Sequence, residues 1–457
     1  MNAHARHPLA PAAIGAILAI TVALTVGACG GPAVAPPASF ALPRTTELPV
    51  ESPVTAPRSS APRPGGTAGS PTGAEIERLR AAIAADPRDV VARRDLGFAL
   101  VQRVRETADP SLYEPAIAAF DAALTLQPED PTALVGRAAV QLGRHEFEAA
   151  LATARRAVER SPSLVAGHAA IVDALIELGR YDEADEAAGI MLGLRVDLTT
   201  LARVSYLAEL RGRLPAAVAA MRLAAASSGL PPENAAYVTA LLGNLLVYSG
   251  KPDAAEAAYR DALALVPDHP ASLAGLGRLA VGSGRLDDAI GYFEQASAIV
   301  PLPEYVVALG ETQAAAGRTA DAQRSEELAR AEIQLFRSAG VGIDVELALF
   351  EADHGDPAAA LRHARLAHAA APTVRAADAV AWALHRLGRD AEAAMFSAEA
   401  LRLGSIDPVV HYHAGAIAVA VGDAAAARRH LALALATDPG FSATGAADAR
   451  RLLDSLR

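Results

Sequence analysis

"LGRYDEADEAA" stands at residues 178–188, and the chain keeps rewriting it. Its skeleton returns in "LGRHEFEAALA" (142–152), "SGKPDAAEAAY" (249–259), "SGRLDDAIGYF" (283–293), "HGDPAAALRHA" (354–364), "LGRDAEAAMFS" (387–397) and "VGDAAAARRHL" (421–431). Each copy offers a glycine, a short polar gap, an acidic or alanine pair, and then an apolar helical run. A glycine that ends one helix and a polar gap that opens the next make a helix–turn–helix corner.

Proline supplies the other punctuation. "AIAADP" (82–87), "ALTLQP" (123–128), "AVERSP" (157–162), "ALALVP" (262–267), "ASAIVP" (296–301), "AHAAAP" (367–372) and "ALATDP" (434–439) each close a helical run on proline. Proline lacks the amide hydrogen and pushes the preceding residue out of helix, so the element stops there. Pro128 to Pro162 is 34 residues, and so is Pro267 to Pro301. A fixed period of this size is the signature of a repeat architecture.

Composition agrees. Hydrophobic residues make up 52% of the 457, yet aromatics only 4%, so the apolar content is mostly alanine and leucine, both strong helix formers. The chain is too long for one ordinary core. The reading is all-α. Net charge is −11, and Lys251 is the only lysine among 41 basic residues, a poor basis for binding nucleic acid.

The period and the residues resemble the tetratricopeptide repeat. Counting Val165 as the first position, Ile171 and Val172 fall seventh and eighth, Leu175 eleventh, Gly179 fifteenth, Tyr181 seventeenth and Ala184 twentieth. A unit from Pro270 places Leu276-Gly277, Gly284, Ala289, Phe293, Ala296 and Pro301 correspondingly. Ten repeats are expected, from Val90, Pro131, Val165, Leu198, Ala236, Pro270, Pro303, Val341, Val374 and Pro408. A half-unit (74–87) and a closing helix (about 442–456) cap the ends. Neither helix of a pair can bury its apolar stripe alone, so neighbours complete each core. The resemblance implies an α-solenoid, a right-handed superhelix with the first helix of each unit lining a concave face. That domain occupies 74–457.

Ahead of it, residues 1–28 read as a secretory signal, with Arg6 and then an uncharged run from Pro8 to Ala28. Val26-Gly27-Ala28-Cys29 resembles the lipobox of bacterial lipoproteins, which implies cleavage before Cys29 and acylation of its sulfur and new amino terminus. An uncleaved signal anchor is the alternative, since about 20 apolar residues span a bilayer. Arg6 orients either version with the bulk of the chain on the extracytoplasmic face of the membrane. Between Gly30 and Gly73 ten prolines fall in 44 residues, so 29–73 is expected to be a disordered, Pro-rich linker. It would serve as a stalk.

No GxxxxGK[ST], HExxH, EF-hand loop or GxSxG is present, and one cysteine cannot build a zinc site. No catalytic residue, metal site or cofactor is expected. His411 and His413 lie two apart, so they do not share a helix face. By the resemblance, the second, fifth, ninth and twelfth positions of each first helix face the groove. Those positions hold Phe98, Tyr206, Tyr237, Asn244, Arg278, Glu311, Leu349, Asp378, Trp382, His385 and Tyr412. Tyrosine, tryptophan and arginine are frequent interface anchors. Tyr206, Tyr237, Asn244, Arg278, Trp382, His385 and Tyr412 are therefore the expected partner-binding set. A register shift of one residue would instead place Trp382 in the packing and bring Phe350 into the stripe for Leu349.

Two functions fit these features. The first is a non-catalytic, membrane-tethered lipoprotein that binds a protein or extended peptide along its groove. The second is an assembly or accessory factor organising an envelope complex for polymer synthesis, secretion or metal handling.

Overall fold

Aspartate and proline write many of the helix starts. At 130–131, 356–357 and 407–408 the aspartate caps the exposed amides of the first turn and the proline sits where no amide partner is needed. The Asp130 carboxylate, for example, accepts from the amides of Thr132 and Ala133 at 2.8 and 3.1 Å.

A computed structural model describes residues 70–227 and 229–457, all the regular elements of which are helical. The expected signal segment, Cys29 and the expected linker up to residue 69 lie outside the described residues. Helix α1 (Pro71–Ala85) opens the array, three residues ahead of the expected half-unit. Ten hairpins follow. The first four are α2 (Val90–Thr107) with α3 (Tyr113–Leu126), α4 (Pro131–Gly143) with α5 (Phe147–Arg160), α6 (Val165–Glu177) with α7 (Tyr181–Leu194), and α8 (Leu198–Leu210) with α9 (Leu214–Ala225). Next come α10 (Pro232–Tyr248) with α11 (Pro252–Leu265), α12 (Pro270–Gly282) with α13 (Leu286–Ile299), and α14 (Pro303–Ala315) with α15 (Thr319–Ser338). The last are α16 (Asp344–His354) with α17 (Pro357–Ala370), α18 (Val374–Arg386) with α19 (Asp390–Ala400), and α20 (Pro408–Ala420) with α21 (Ala424–Thr437), and α22 (Ala443–Ser455) closes the array. The chain is an α-solenoid. Eight of the ten expected starts hold to the residue; the others move from Ala236 to Pro232 and from Val341 to Asp344.

Each of the seven stop prolines lies two residues beyond its helix. The residue between is extended, as at Gln127 (φ −137°, ψ 84°) and Ala371 (φ −150°, ψ 107°).

Two corners differ from the expected skeleton. In "LGRHEFEAALA" the helix runs through Gly143, and His145 takes the left-handed conformation at φ 62°. Counted from Pro131, His145 stands where Gly179 (φ 72°) stands from Val165, so the visible glycine misaligned the unit by two residues. In "HGDPAAALRHA" Gly355 is not left-handed (φ −144°), and capping by Asp356 restarts the chain instead.

Aromatic residues of the second helices enter slots left by glycines of the first. Phe120 lies between Gly97 and Gly136, and Tyr259 between Gly243 and Gly275. A Cβ on Gly136 would stand 2.1 Å from the Phe120 ring, and one on Gly275 2.4 Å from that of Tyr259.

Successive turns of the superhelix touch. The α4–α5 corner meets the segment before α16, where the Arg144 carbonyl accepts from the Gly342 amide at 3.2 Å and His145 Nδ1 lies 2.5 Å from the Gly342 oxygen. The α6–α7 corner meets the segment before α18, with the Val374 amide donating to Tyr181 Oη at 3.0 Å. A Cβ on Gly212, in the α8–α9 corner, would stand 2.1 Å from the Gly404 oxygen before α20. These contacts join hairpins six units apart. The final one tightens to five units, where Gly282 meets Gly440 ahead of α22.

Candidate functional site: the concave face

The first helices of the hairpins line the interior, but the two halves of the array differ. In the C-terminal half, α22 packs back onto α14 as well as α20, and Ser442 Oγ donates to Glu311 Oε2 at 2.9 Å across 131 residues. The face so enclosed is filled by its own side chains. Trp382 (2% exposed) donates from Nε1 to Asp353 Oδ1 at 2.8 Å, and Tyr412 (1% exposed) donates to Asp448 Oδ2 at 3.0 Å. His413 stacks on Trp382 with centroids 4.1 Å apart and bonds to the Asp378 carboxylate at 2.9 Å. Leu349 and Phe350 are both buried there.

The placement of Trp382 and Tyr412 as exposed anchors is therefore corrected. Both lie on first helices, yet curling of the last hairpins turns their concave face into core. His385 is half-buried, stacked on Trp382 at 5.0 Å, and its Nδ1 lies 2.5 Å from Asp390 Oδ1. His385, His411 and His413 do not converge. His411 faces His430 (Nδ1 to Nδ1, 2.8 Å), whereas His413 and His385 each face their own aspartate.

One ion pair belongs to this closure. His354 lies 3.8 Å from Glu311 and 3.5 Å from Glu326. Burial works against the charged imidazole, but the two carboxylates overcome it and hold its pKa at about 10.

In the N-terminal half the equivalent positions stay half-buried. Tyr206, Tyr237, Asn244 and Arg278 all belong to this class. Burial pushes the Tyr237 phenol up to about 12, with Glu304, Arg105, Arg203 and Asp173 as its charged neighbours. Those residues come from α14, α2, α8 and α6, so Tyr237 faces the inside of the coil. Arg203 donates to the Asp173 carboxylate one hairpin back. Asn244 Oδ1 accepts from Tyr259 Oη at 2.7 Å and from the Arg278 guanidinium, so two expected groove residues already hold each other.

Tyr206 instead lines a cavity of about 380 Å³ at the seam between turns, with Glu177, Glu346 and Arg375. Burial raises both the Tyr206 phenol and the Glu177 carboxyl. Sequence reading missed Glu177, Glu346 and Arg375 because the cavity joins segments about 200 residues apart. The only local signal was a charge closing the apolar run "VAGHAAIVDALIE".

A family model for the tetratricopeptide repeat matches residues 111–165 and 241–302. These two stretches match the tetratricopeptide repeat. Those stretches take in the α3–α5 and α11–α13 helices, and the same hairpin geometry recurs through the rest of the described array. The protein named STIP1 homolog of Dictyostelium discoideum is 34% identical over 87 residues, which is 19% of this chain and 15% of that relative's length. The chain thus spans less than a sixth of that protein. Among solved structures, MamA is 19% identical with a TM-score of 0.29, covering 35% of this chain and 91% of its own. YrrB, described as a TPR protein with an unusual peptide-binding site, is 19% identical with a TM-score of 0.28, covering 43% of this chain and 97% of its own. Among the described residues no helix is long and apolar enough to cross a membrane.

Proposed function

We propose that the chain is a non-catalytic, membrane-tethered scaffold on the extracytoplasmic face of a bacterial envelope, binding a protein or extended peptide through the N-terminal half of its repeat array. The carrying observation is the contrast along one face. Tyr237, Asn244 and Arg278 remain half-buried on α10 and α12, while Trp382 and Tyr412 are sealed. Half-buried aromatic and polar groups on a curved helical face are the material of interface hot spots. Val26-Gly27-Ala28-Cys29 supports the tether, and the net charge of −11 with one lysine argues against nucleic acid as partner.

The alternative is an assembly factor that organises an envelope complex through its outer surface. It is favoured by the sealed C-terminal half, which would act as a rigid body. Affinity capture from the native membranes separates the readings. Under groove binding, Tyr237→Ala keeps the fold but loses the captured protein; under the alternative, capture survives. Cys29→Ser should abolish metabolic labelling with palmitate, and unchanged labelling would end the lipoprotein reading.

A further inference from the structure

The seam cavity is built from two successive superhelical turns. One wall is the α4–α5 corner with the end of α6; the other is the start of α16 with the α17–α18 corner. Its volume of about 380 Å³ lies within the range of small-ligand sites. Alanines 367, 370 and 371, Ile176 and Leu210 make much of the wall apolar.

Its charge is one-sided. Five carboxylates line it against the Arg375 guanidinium and the His145 imidazole. Three carboxylates have partners: Glu146 with Arg144 at 2.9 Å, Asp344 with His363 at 3.0 Å, and Glu346 with Arg375 at 3.1 Å. Glu148 is exposed at the rim. Glu177 remains, half-buried at the end of α6, and accepts no hydrogen bond from the described residues. The phenol of Tyr206 stands beside it, and no acceptor for its hydrogen is found among the described residues.

Arg375 and His145 act on this recessed carboxylate only across the cavity, without a hydrogen bond, so a cation in direct contact would compensate its burial further. A calcium or magnesium ion takes six or more oxygen ligands, and among the described residues no group of three or more histidine, cysteine or carboxylate side chains could hold a metal. An organic cation suits the site better. Its charge meets Glu177, its aliphatic stem lies along the alanines, and the tyrosine ring offers a π face.

We propose that the seam cavity between the α6 end and the α17–α18 corner binds a single guanidinium or alkylammonium group on an aliphatic stem, with Glu177 as counter-ion. The site is separate from the groove and can hold whether or not a groove partner exists. Such a group comes either from a free cationic metabolite or from a basic side chain of a polypeptide.

The test is calorimetric titration of the detergent-solubilised full chain with N-acetyl-arginine amide and with its neutral isostere, N-acetyl-citrulline amide. Saturable binding of the first, at least tenfold tighter than the second, is expected. Glu177→Gln should weaken it at least tenfold, whereas Glu148→Gln at the rim changes it less than threefold. Should Glu177→Gln fail to fold, Ala371→Leu, which narrows the same cavity, is expected to give the same loss. An acetylated pentapeptide with a central arginine assigns the source: tighter binding than the amide points to a polypeptide, equal binding to a free cation. No saturable heat, equal affinity for the isostere, or equal losses from Glu148→Gln and Glu177→Gln would each overturn the proposal.

Discussion

Asn244 and Arg278 occupy equivalent positions 34 residues apart, and the amide oxygen of the first accepts a hydrogen bond from the guanidinium of the second. The period read in the sequence is here a physical bond between neighbouring hairpins. Tyr259 joins the pair, donating to the same oxygen, and burial of the guanidinium is offset by Tyr259, Asp438 and Tyr248 around it.

Arg278 is therefore expected to act on stability before it acts on binding. Arg278→Leu takes the guanidinium away from Asn244 Oδ1 and removes a charge that favours the Asp438 carboxylate, and leaving such buried polar groups short of a partner costs about 1–3 kcal/mol. Denaturant titration should show that loss. An unchanged midpoint would return Arg278 to the free groove.

Trp382 should emit as a buried indole, blue-shifted and shielded from quenchers. Trp382→Ala removes the chain's largest buried side chain and strands the Asp353 hydrogen bond. The expected loss is about 3–5 kcal/mol. A quenchable, red-shifted emission would contradict the closed C-terminal half.

The seam can be weighed with two glycines. Gly212 and Gly250 share the left-handed backbone, at φ 65° and 68°, but a Cβ on Gly212 meets the Gly404 oxygen at 2.1 Å while one on Gly250 meets nothing within 4 Å. Gly250→Ala should cost only the backbone penalty of about 1–2 kcal/mol. Gly212→Ala should cost more, and its scattering profile should lengthen as the turns part. Equal costs would show that the turns are not tightly held.

Glu209 supplies a pH signature. Burial, with Asp407 nearby, raises its pKa to about 7 against the pull of Arg278. A carboxyl raised in the folded state favours folding while protonated, so its contribution is full below about 4.5 and disappears as pH rises through 7. Glu209→Gln should therefore be near neutral at pH 4 and relatively stabilising at pH 8, by up to about 3 kcal/mol. A variant whose advantage does not grow with pH would exclude this.

The hairpins were legible because their signals are local. A proline fixes the φ of one residue and disfavours helix in the one before it, and seven such stops held to the same two-residue offset. His145 shows the limit: it carries out a glycine's task at φ 62°, while the visible glycine two residues earlier is ordinary helix. The sites were less legible because they depend on curvature, which no single unit encodes. Trp382 and Tyr412 were placed on the right face, but whether that face is groove or core is decided by hairpins curling back from far along the chain. Glu177 and Arg375 lie 198 positions apart, and no periodicity of 34 announces their meeting across one cavity.

The contact of turn upon turn changes how such an array should come apart. A solenoid joined only to its neighbours behaves as a one-dimensional chain of units that can fray from either end. Here the corner at His145 is bonded to Gly342, and Tyr181 to Val374, across nearly 200 residues. The last three hairpins cannot open without releasing partners one coil away, so melting from that end becomes a shared event rather than a progressive one. Those long closures must also form late, since loops of that length carry an entropic cost before any contact rewards them. The coil should accordingly assemble first as an open spiral and then shut, with a slow final phase that shortening the chain to fewer than six hairpins would abolish.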